Sequence, residues 1–307
     1  MQLVNSCQRI LSAISKHKQE KHMSTTNSSQ DVIDREQRTW RNVSEGWRKN
    51  DAQLRENADG VTQRMLDLAG LKEGSWMLDI ASGTGEPALP AAHRVGTSGQ
   101  VIGTDLVDEM LAVARDKAKE QQLSNIEFRT VDGKGLDFDT ARFDAVTSRW
   151  GLIFIPEPQA FLKLIHGVLK DDGRVVLACW AEPERNPFFT HAMSILMKHM
   201  EVPKPPAGAP GVFAFAERER LENTLRDSGF RNIDIEDLSF NMIQVDSGEE
   251  YWQILEELAG PIAQLTKTMD KATYNAFSEE VIASANALKK DGKVSMLGTT
   301  WIARAIK

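Results

Sequence analysis

Cysteine is scarce in this chain. Cys7 and Cys179 are the only two thiols among 307 residues, and most of the sequence separates them. Cys7 lies in a polar N-terminal tail and Cys179 in a segment predicted to be a buried strand, so neither a disulfide nor a thiolate metal site is expected. This cysteine usage indicates a reducing compartment.

Long apolar runs and basic stretches are also lacking. No apolar run approaches the length that a membrane-spanning helix needs, so no integral membrane segment is expected. The formal net charge is −7, and no basic stripe could neutralise phosphates, so nucleic acid is not an expected partner. A chain of 307 residues with 41% hydrophobic residues suits one large globular domain that acts on a small molecule.

An acidic residue followed by a glycine-rich turn is the most informative local pattern. The segment Met77–Glu86 reads MLDIASGTGE, an apolar strand ending near Asp79 and then a tight turn with Gly83 and Gly85. A second apolar run ends at Asp105, about twenty residues further on. This order of strand, turn, helix and acid-terminated strand is typical of an α/β fold that holds an adenosine-bearing cofactor.

Two cofactor classes fit this turn. Gly83–Ala88 satisfies the dinucleotide fingerprint and Asp105 stands where an acid would bind ribose hydroxyls, so an NAD-dependent oxidoreductase is one candidate. However, Asp79 and Glu86 flank the turn, where a dinucleotide would place its anionic pyrophosphate. S-adenosylmethionine has no phosphate, and it carries a sulfonium and an ammonium group, two cations that nearby carboxylates attract. The charges therefore favour S-adenosylmethionine.

The run DIASGTG, Asp79–Gly85, resembles the first motif of class I S-adenosylmethionine-dependent methyltransferases, acid-x-Gly-x-Gly-x-Gly. It departs from that pattern at Ala81, a change expected to be mild if the backbone there needs no positive φ. Asp132 follows the third predicted strand, where a carboxylate of this family contacts the adenine amino group. The resemblance implies a cofactor site formed by Asp79, Ala81, Gly83, Gly85, Asp105, Leu106, Met110, Asp132, Gly133, Ser148 and Trp47.

Other segments resemble one branch of this family, the ubiquinone and menaquinone C-methyltransferases. The tryptophan-bearing run Trp40–Trp47 is similar to the N-terminal segment that lies over the cofactor pocket in that branch; as an alternative, both tryptophans only pin a helix to the sheet. The terminal run Lys290–Ala305 resembles the last turn and strand of the branch. The resemblance thus extends from about Arg35 over nearly the whole chain.

Strands and helices alternate through five predicted strands, which requires a parallel sheet covered on both faces. With two further strands near the C-terminus, the expected fold is a doubly wound, seven-stranded, mostly parallel sheet of the Rossmann-like methyltransferase type. Helical elements would cap it at both ends, and two short helices are expected within 34–63. A single domain is expected over 34–307, with a lid at about 183–216 and a helical cap at about 249–289.

The N-terminal segment before this domain, residues 1–33, is expected to be a disordered or targeting extension. Its first 18 residues contain no acid and several serines, as organelle presequences do, but a single arginine. The run that begins at Met23 is typical of an ordinary cytosolic start. A cytoplasmic protein is therefore expected, and import through residues 1–22 is the alternative.

The acceptor site is expected beside a proline- and glycine-rich run, Val202–Phe215, where methyltransferases of this type build a substrate lid. Methyl transfer needs a base only when the acceptor keeps a proton, and His191 is the candidate base, with a packing or surface role as its alternative. Arg149 is the second candidate for the catalytic site, where it is expected to shape the site and not to act as an acid or base. No metal is expected. The aromatic residues expected to wall an apolar acceptor are Trp40, Trp150, Phe188, Phe213 and Phe215.

Methyl transfer to carbon, nitrogen or oxygen of a small molecule is the expected function. An NAD-dependent oxidoreductase is the enzyme alternative, and a non-catalytic S-adenosylmethionine-binding protein is the other. The oxidoreductase would need a nicotinamide-facing acid or a Tyr-Lys pair, and neither Tyr251 nor Tyr274 is followed by a lysine at helical spacing.

Overall fold

The computed structural model describes residues 28–202, 206 and 208–307. The expectations for residues 1–27, which include Cys7 and the segment 1–22, lie outside the described residues. Positions 203–205 and 207 of the expected lid lie outside them as well.

Seven strands form one sheet in the order β3-β2-β1-β4-β5-β7-β6. β7 is antiparallel to both of its neighbours, β5 and β6, and the other pairs are parallel. The expected seven-stranded, mostly parallel sheet is therefore confirmed. The strands are β1 (Trp76–Ile80), β2 (Gln100–Asp105), β3 (Ile126–Thr130), β4 (Phe143–Arg149), β5 (Leu169–Trp180), β6 (Arg231–Val245) and β7 (Val294–Ile306).

Helices cover the sheet, and two short 3-10 turns, Leu152–Phe154 and Pro183–Arg185, follow β4 and β5. Within the described residues, no helix combines the length and the apolar character needed to cross a bilayer. The helices are α1 (Ser29–Ala69), α2 (Ala88–Val95), α3 (Asp108–Glu120), α4 (Pro158–Val168), α5 (Pro187–His199), α6 (Arg218–Asp227), α7 (Gly248–Leu258), α8 (Gly260–Thr266) and α9 (Lys271–Ala287).

The strand order reverses at β1, which has β2 on one side and β4 on the other. In open α/β sheets such a reversal leaves a crevice beyond the carboxyl ends of the two diverging strands. Met77 and Leu78 of β1 are fully buried on opposite faces of the sheet. Because both faces are covered, consecutive residues of this strand are apolar, whereas a half-exposed strand would alternate apolar and polar residues.

The expectation of two short helices within 34–63 is wrong, because α1 is one continuous helix of 41 residues. It starts with a capping box between Ser28 and Asp31 and ends at Gly70, whose φ of 65° is left-handed. Gly46 does not break the helix. A Cβ there would lie 2.2 Å from the Glu257 carbonyl oxygen, so this glycine allows α7 to approach α1 closely.

Residues 169–173 read LKDDG, a run typical of a turn before a strand, but they are part of β5. The register between β4 and β5 shifts between Phe143 and Ala145, and Asp172 adopts a φ of 60°. The turn residues therefore form a bulge inside a longer strand.

Candidate functional site

A cavity lies at the carboxyl ends of β1, β2 and β4, and α1 forms its roof through Ile33, Glu36, Trp40 and Trp47. The volume that the centres of water molecules can occupy in it is about 180 Å³. A single water needs only about 10–15 Å³ by this measure, so the space is the size of a ligand site and not a packing defect. Gln37 of α1 also donates a hydrogen bond to the Leu106 carbonyl oxygen at 3.0 Å, which ties the roof to the end of β2.

Asp79 shapes the turn after β1 from behind. Its carboxylate accepts hydrogen bonds from the hydroxyls of Ser82 and Thr147, both at 2.7 Å. The side chain is fully buried, and this burial raises the pKa of Asp79 to about 7. Asp79 does not line the cavity, so its contribution is to hold the turn in place.

The turn itself runs through left-handed backbone. Gly83 and Gly85 have φ values of 52° and 108°, and a Cβ on Gly85 would lie 2.5 Å from the Leu89 side chain. Ala81 also has a positive φ, 57°. The condition under which alanine would be a mild change at this position is therefore not met, and the left-handed backbone costs about 1–2 kcal/mol there.

Asp105 connects the end of β2 to this turn. Its carboxylate accepts the backbone N–H of Gly83 at 2.9 Å and that of Val107 at 3.0 Å. A carboxylate has about four lone-pair sites, so two stay available to a ligand in the cavity that Asp105 lines. Burial raises the pKa of Asp105.

Lys117 holds the far side of the turn. Its ammonium donates to the Thr84 carbonyl oxygen at 2.8 Å and to both carboxylate oxygens of Asp51 at 3.0 Å. Because Asp51 belongs to α1 and Lys117 to α3, this contact fixes the roof helix relative to the turn.

Arg149 and Glu86 are the oppositely charged residues at one end of the cavity. Arg149 donates to the Thr62 hydroxyl at 2.7 Å, and its guanidinium carbon lies 4.9 Å from the ring centroid of Trp150. Burial lowers the pKa of Arg149, while the negative charges of Glu86 and Asp79 oppose that change. Burial raises the pKa of Glu86, and the charge of Arg149 acts against it.

Aromatic residues form much of the remaining wall. The ring centroid of Trp40 lies 5.9 Å from that of Trp47 and 5.2 Å from that of Phe154, both in edge-on geometry. Trp150 stacks on Trp180 at 4.4 Å. These contacts give the cavity an apolar, flat-sided character.

Trp47 carries an unsatisfied donor. Its indole Nε1 is buried and has no hydrogen-bond partner among the residues that the structure describes. Buried donors in folded proteins almost always have a partner, and Trp47 lines the cavity, so a bound ligand would supply the missing acceptor.

The structure brings most, but not all, of the expected cofactor residues to the cavity. Those that line it are Ala81, Gly83, Asp105, Leu106, Met110, Gly133 and Trp47. Asp79 and Gly85 support the turn from outside, and Ser148 is buried with its hydroxyl bonded to the Ile80 carbonyl oxygen at 3.1 Å. Asp132 is exposed and accepts the Lys134 N–H at 3.0 Å, so it does not reach the cavity.

Among the residues expected to wall an acceptor, Trp40 and Trp150 line the cavity and the three phenylalanines do not. Phe188 and Phe215 are 2% and 1% exposed and belong to the hydrophobic core. Phe213 is half-buried against Phe189, with ring centroids 6.0 Å apart. Helix α5, which carries Phe188, contacts α9 and β7. The loop that carries Phe213 and Phe215 is tied to the 3-10 turn after β4 by the Gly211 N–H, which donates to the Ile153 carbonyl oxygen at 2.8 Å.

Of the two catalytic candidates, Arg149 lines the cavity and His191 does not. His191 lies on α5, which contacts α9 and β7, and its ring is 6.1 Å from that of Tyr251. Burial lowers the pKa of His191, and its Nε2 has no partner within the described part of the chain. In this arrangement His191 is not positioned to act on a ligand in the cavity. No cluster of His, Cys, Asp and Glu among the described residues could hold a metal ion.

Sequence analysis missed Ile33, Glu36 and Phe154, all of which line the cavity. Ile33, Glu36, Trp40 and Trp47 are spaced by three, four and seven residues, which places them on one face of a helix. This signal was available in the sequence, but it requires α1 to be continuous. Burial raises the pKa of Glu36.

Known proteins resemble this chain in the region that builds the cavity. The ubiE/COQ5 methyltransferase family matches residues 59–204. A ubiquinone/menaquinone biosynthesis C-methyltransferase of Idiomarina loihiensis is 26% identical over 196 residues, which are 61% of this chain and 78% of that protein. The demethylmenaquinone methyltransferase of Lactococcus lactis is 38% identical over 138 residues, 45% of this chain and 53% of that protein.

Solved structures share the fold. The YcgJ protein of Bacillus subtilis superposes with a TM-score of 0.53 at 19% identity, covering 80% of this chain and 97% of that one. The family match spans β1 to β5 and so includes β1, β2 and β4, at whose carboxyl ends the cavity lies. The chain is therefore a class I S-adenosylmethionine-dependent methyltransferase that resembles the ubiquinone/menaquinone C-methyltransferase branch and transfers a methyl group to a small-molecule acceptor.

Proposed function

We propose that the cavity binds S-adenosylmethionine with its ribose at Asp105 and its adenine against Leu106 and Gly133. The two free acceptor sites of the Asp105 carboxylate suit a pair of ribose hydroxyls. The indole N–H of Trp47, which lacks a partner among the described residues, would donate to a polar group of the same ligand.

The charges of the cavity support this assignment. Among the described residues, three carboxyl groups line it, those of Glu36, Glu86 and Asp105, against the single guanidinium of Arg149. An anionic pyrophosphate would be repelled here, whereas a cationic sulfonium would be attracted. When bound, the cofactor supplies a methyl group that is already activated by its sulfonium.

The residues of the chain would then orient the acceptor and exclude water. The roof helix α1 covers the cavity, and Trp40, Trp47 and Phe154 offer flat apolar surfaces. We propose a planar, reduced quinone-type ring as the acceptor and a ring carbon as the methylated atom. The aromatic wall carries this proposal, and the names of the two curated relatives agree with it.

The acceptor is tested by methyl transfer from isotope-labelled S-adenosylmethionine. The purified full-length chain is offered reduced demethylmenaquinone with a short side chain, a catechol and a primary amine in separate reactions. The expected product is the C-methylated quinol, identified by mass and by the position of the new methyl signal in NMR. Transfer to the catechol oxygen or to the amine alone would replace this acceptor class with another.

The cofactor contact of Trp47 is tested with Trp47→Phe, which keeps an aromatic ring and removes the N–H. We expect affinity for S-adenosylmethionine to fall by about 0.5–1.5 kcal/mol, the usual net value of one hydrogen bond. The free protein loses no hydrogen bond to a described residue, so any loss of stability comes from reduced packing against Trp40. Trp76→Phe, outside the cavity, is the matched control for calorimetry. Equal affinity in both variants would remove the N–H from the proposed site.

The oxidoreductase alternative is tested by thermal shift with four ligands. S-adenosylmethionine and S-adenosylhomocysteine should raise the melting temperature progressively, with the logarithm of their concentration above the dissociation constant, and NAD and NADP should not. Stabilisation by a dinucleotide alone would contradict the proposed cofactor site.

A cytoplasmic location is part of this proposal. Imaging of the full-length chain beside a variant that lacks residues 1–22 tests it. Import of the full-length chain, lost in the shortened variant, would instead identify that segment as a targeting peptide.

A further inference from the structure

Glu86 lies between two spaces in the molecule. It lines the cavity, and it also lines a surface groove between α1 and α2 whose walls include Arg55, Asp59 and His93. Within the described part of the chain, Glu86 is the one residue that the cavity and this groove share. Glu86 therefore lies where the ligand site and the groove come closest to sharing a wall.

The carboxylate of Glu86 has no partner among the described residues. The residue as a whole is 8% exposed, and no hydrogen bond or ion pair joins its oxygens to another residue that the structure describes. Its oxygens are not among the described buried side-chain atoms that lack a partner, so they keep contact with the spaces beside them. Both oxygens are therefore available to a proton, and burial already raises the pKa of the group.

Charged groups from four elements surround Glu86, and most of them are engaged elsewhere. Lys117 is held by Asp51 and by the Thr84 carbonyl oxygen, and Arg149 by Thr62. The groups that act on Glu86 through their charge are Arg149 of β4, Lys117 of α3, Arg55 and Asp51 of α1, and Asp79 of β1.

The other carboxyl groups near the cavity are less suited to exchange a proton with solvent. Asp105 uses its oxygens to accept the Gly83 and Val107 N–H groups. Glu36 pairs with Arg35 at 3.4 Å and borders the cavity but not the groove. Asp79 does not line the cavity at all.

We propose that Glu86 accepts the proton that the methyl acceptor loses and passes it to water in the groove, an inference that rests on the proposed function. The electron pair of the acceptor forms a bond to the methyl carbon, the carbon–sulfur bond breaks and its pair stays on sulfur. The proton of the acceptor moves to a Glu86 oxygen and then to groove water.

The change of charge during the reaction favours this transfer. Before transfer a sulfonium cation in the cavity stabilises the ionised form of Glu86. After transfer the sulfur is a neutral thioether, so the positive charge is gone and the pKa of the carboxyl group rises. Glu86 thus gains proton affinity in the step that releases a proton.

The first experiment measures protons by calorimetry and needs no acceptor. Binding of S-adenosylmethionine and of S-adenosylhomocysteine is measured between about pH 5 and 8 in two buffers of different ionisation enthalpy. We expect the product to take up more protons than the cofactor on binding, and Glu86→Gln to abolish this difference. Glu56→Gln, which lines the groove but not the cavity, is the matched control and should keep it.

The possible results separate the two proposals. If the wild-type chain binds neither ligand, the cofactor site itself is wrong. If both ligands bind but the proton difference is absent, or persists in Glu86→Gln, only the role of Glu86 is overturned.

The second experiment follows turnover with reduced short-chain demethylmenaquinone. Glu86→Gln should lower kcat by at least about tenfold and remove the acidic limb of its pH profile. Because the lost charge faces the sulfonium, this variant should also weaken binding of S-adenosylmethionine more than binding of S-adenosylhomocysteine. Glu86→Asp, which keeps a carboxyl group, should retain that limb. An unchanged kcat and pH profile in Glu86→Gln would contradict the proposal.

Discussion

Asp105 has two separable roles, and its substitution tests both. Its carboxylate accepts the N–H groups of Gly83 and Val107 in the free protein, and it lines the cavity where we propose that ribose hydroxyls bind. A substitution should therefore reduce stability as well as affinity. This differs from a residue that serves a ligand alone, whose loss would leave the fold unaffected.

The stability effect can be estimated from the contacts. A hydrogen bond to a charged group contributes about 1.5–3 kcal/mol, and Asp105 accepts two of them. The burial that raises the pKa of Asp105 offsets part of this gain. We expect Asp105→Ala to lower the free energy of unfolding by about 2–4 kcal/mol. The stability of Asp105→Asn should lie between those of the wild type and Asp105→Ala, because its amide oxygen can accept one N–H but its nitrogen cannot accept the other.

Urea denaturation measures the stability term, and calorimetry well below the melting temperature measures affinity. Asp105→Ala should bind S-adenosylmethionine about 1.5–3 kcal/mol more weakly than the wild type. Asp108→Ala is the control, since that neighbouring carboxylate is exposed and pairs with Arg115, and it should change stability by less than about 1 kcal/mol. A folded Asp105→Ala with unchanged affinity would refute the ribose contact, and a stability change no larger than that of Asp108→Ala would refute the role in the turn.

Three further substitutions test the structure. The pKa of Asp79 is about 7 in the folded protein and its ordinary value is 3.8. Between pH 3.8 and about pH 7 the folded state therefore binds more protons than the unfolded state, and the free energy of unfolding falls as the pH rises. Asp79→Asn should remove this pH dependence, which is at most about 1.4 kcal/mol per pH unit. Urea denaturation at both ends of the pH window measures it, and the same pH dependence in the wild type and the variant would contradict the prediction. Phe215→Ala should lower the free energy of unfolding by about 3–5 kcal/mol, because the ring is buried. A variant with wild-type stability but weaker acceptor binding would instead place Phe215 in the acceptor pocket, as the sequence predicted. Ala81→Gly should leave stability unchanged or raise it by up to about 1 kcal/mol, because the φ of Ala81 is 57°. Its control, Ala112→Gly on the exposed face of α3, should lower stability by about 1 kcal/mol. Thermal denaturation compares the two variants, and similar losses of stability would exclude strain at Ala81.

The sheet, the turn and the cofactor class could be predicted from sequence patterns alone. These features depend on short stretches of chain: apolar runs of strand length, a left-handed Gly83-x-Gly85 turn, and the acids Asp79 and Asp105 at strand ends. Because parallel strands place their carboxyl ends at one edge, a correct strand order in sequence is enough to bring the turn and Asp105 together. Local pattern and general topology decide such features without knowledge of the side-chain packing.

Which side chains face the cavity depends on packing between distant parts of the chain, which sequence patterns do not reveal. Asp79 turns away because Thr147 on the neighbouring strand β4 binds it, and Phe188 and Phe215 face a core completed by the C-terminal helices. Glu86 borders both the cavity and the groove only because α1 crosses above it. Each outcome depends on a partner far away in sequence: a hydrogen-bond donor for a buried carboxylate, and apolar surface to be excluded from water for a buried ring.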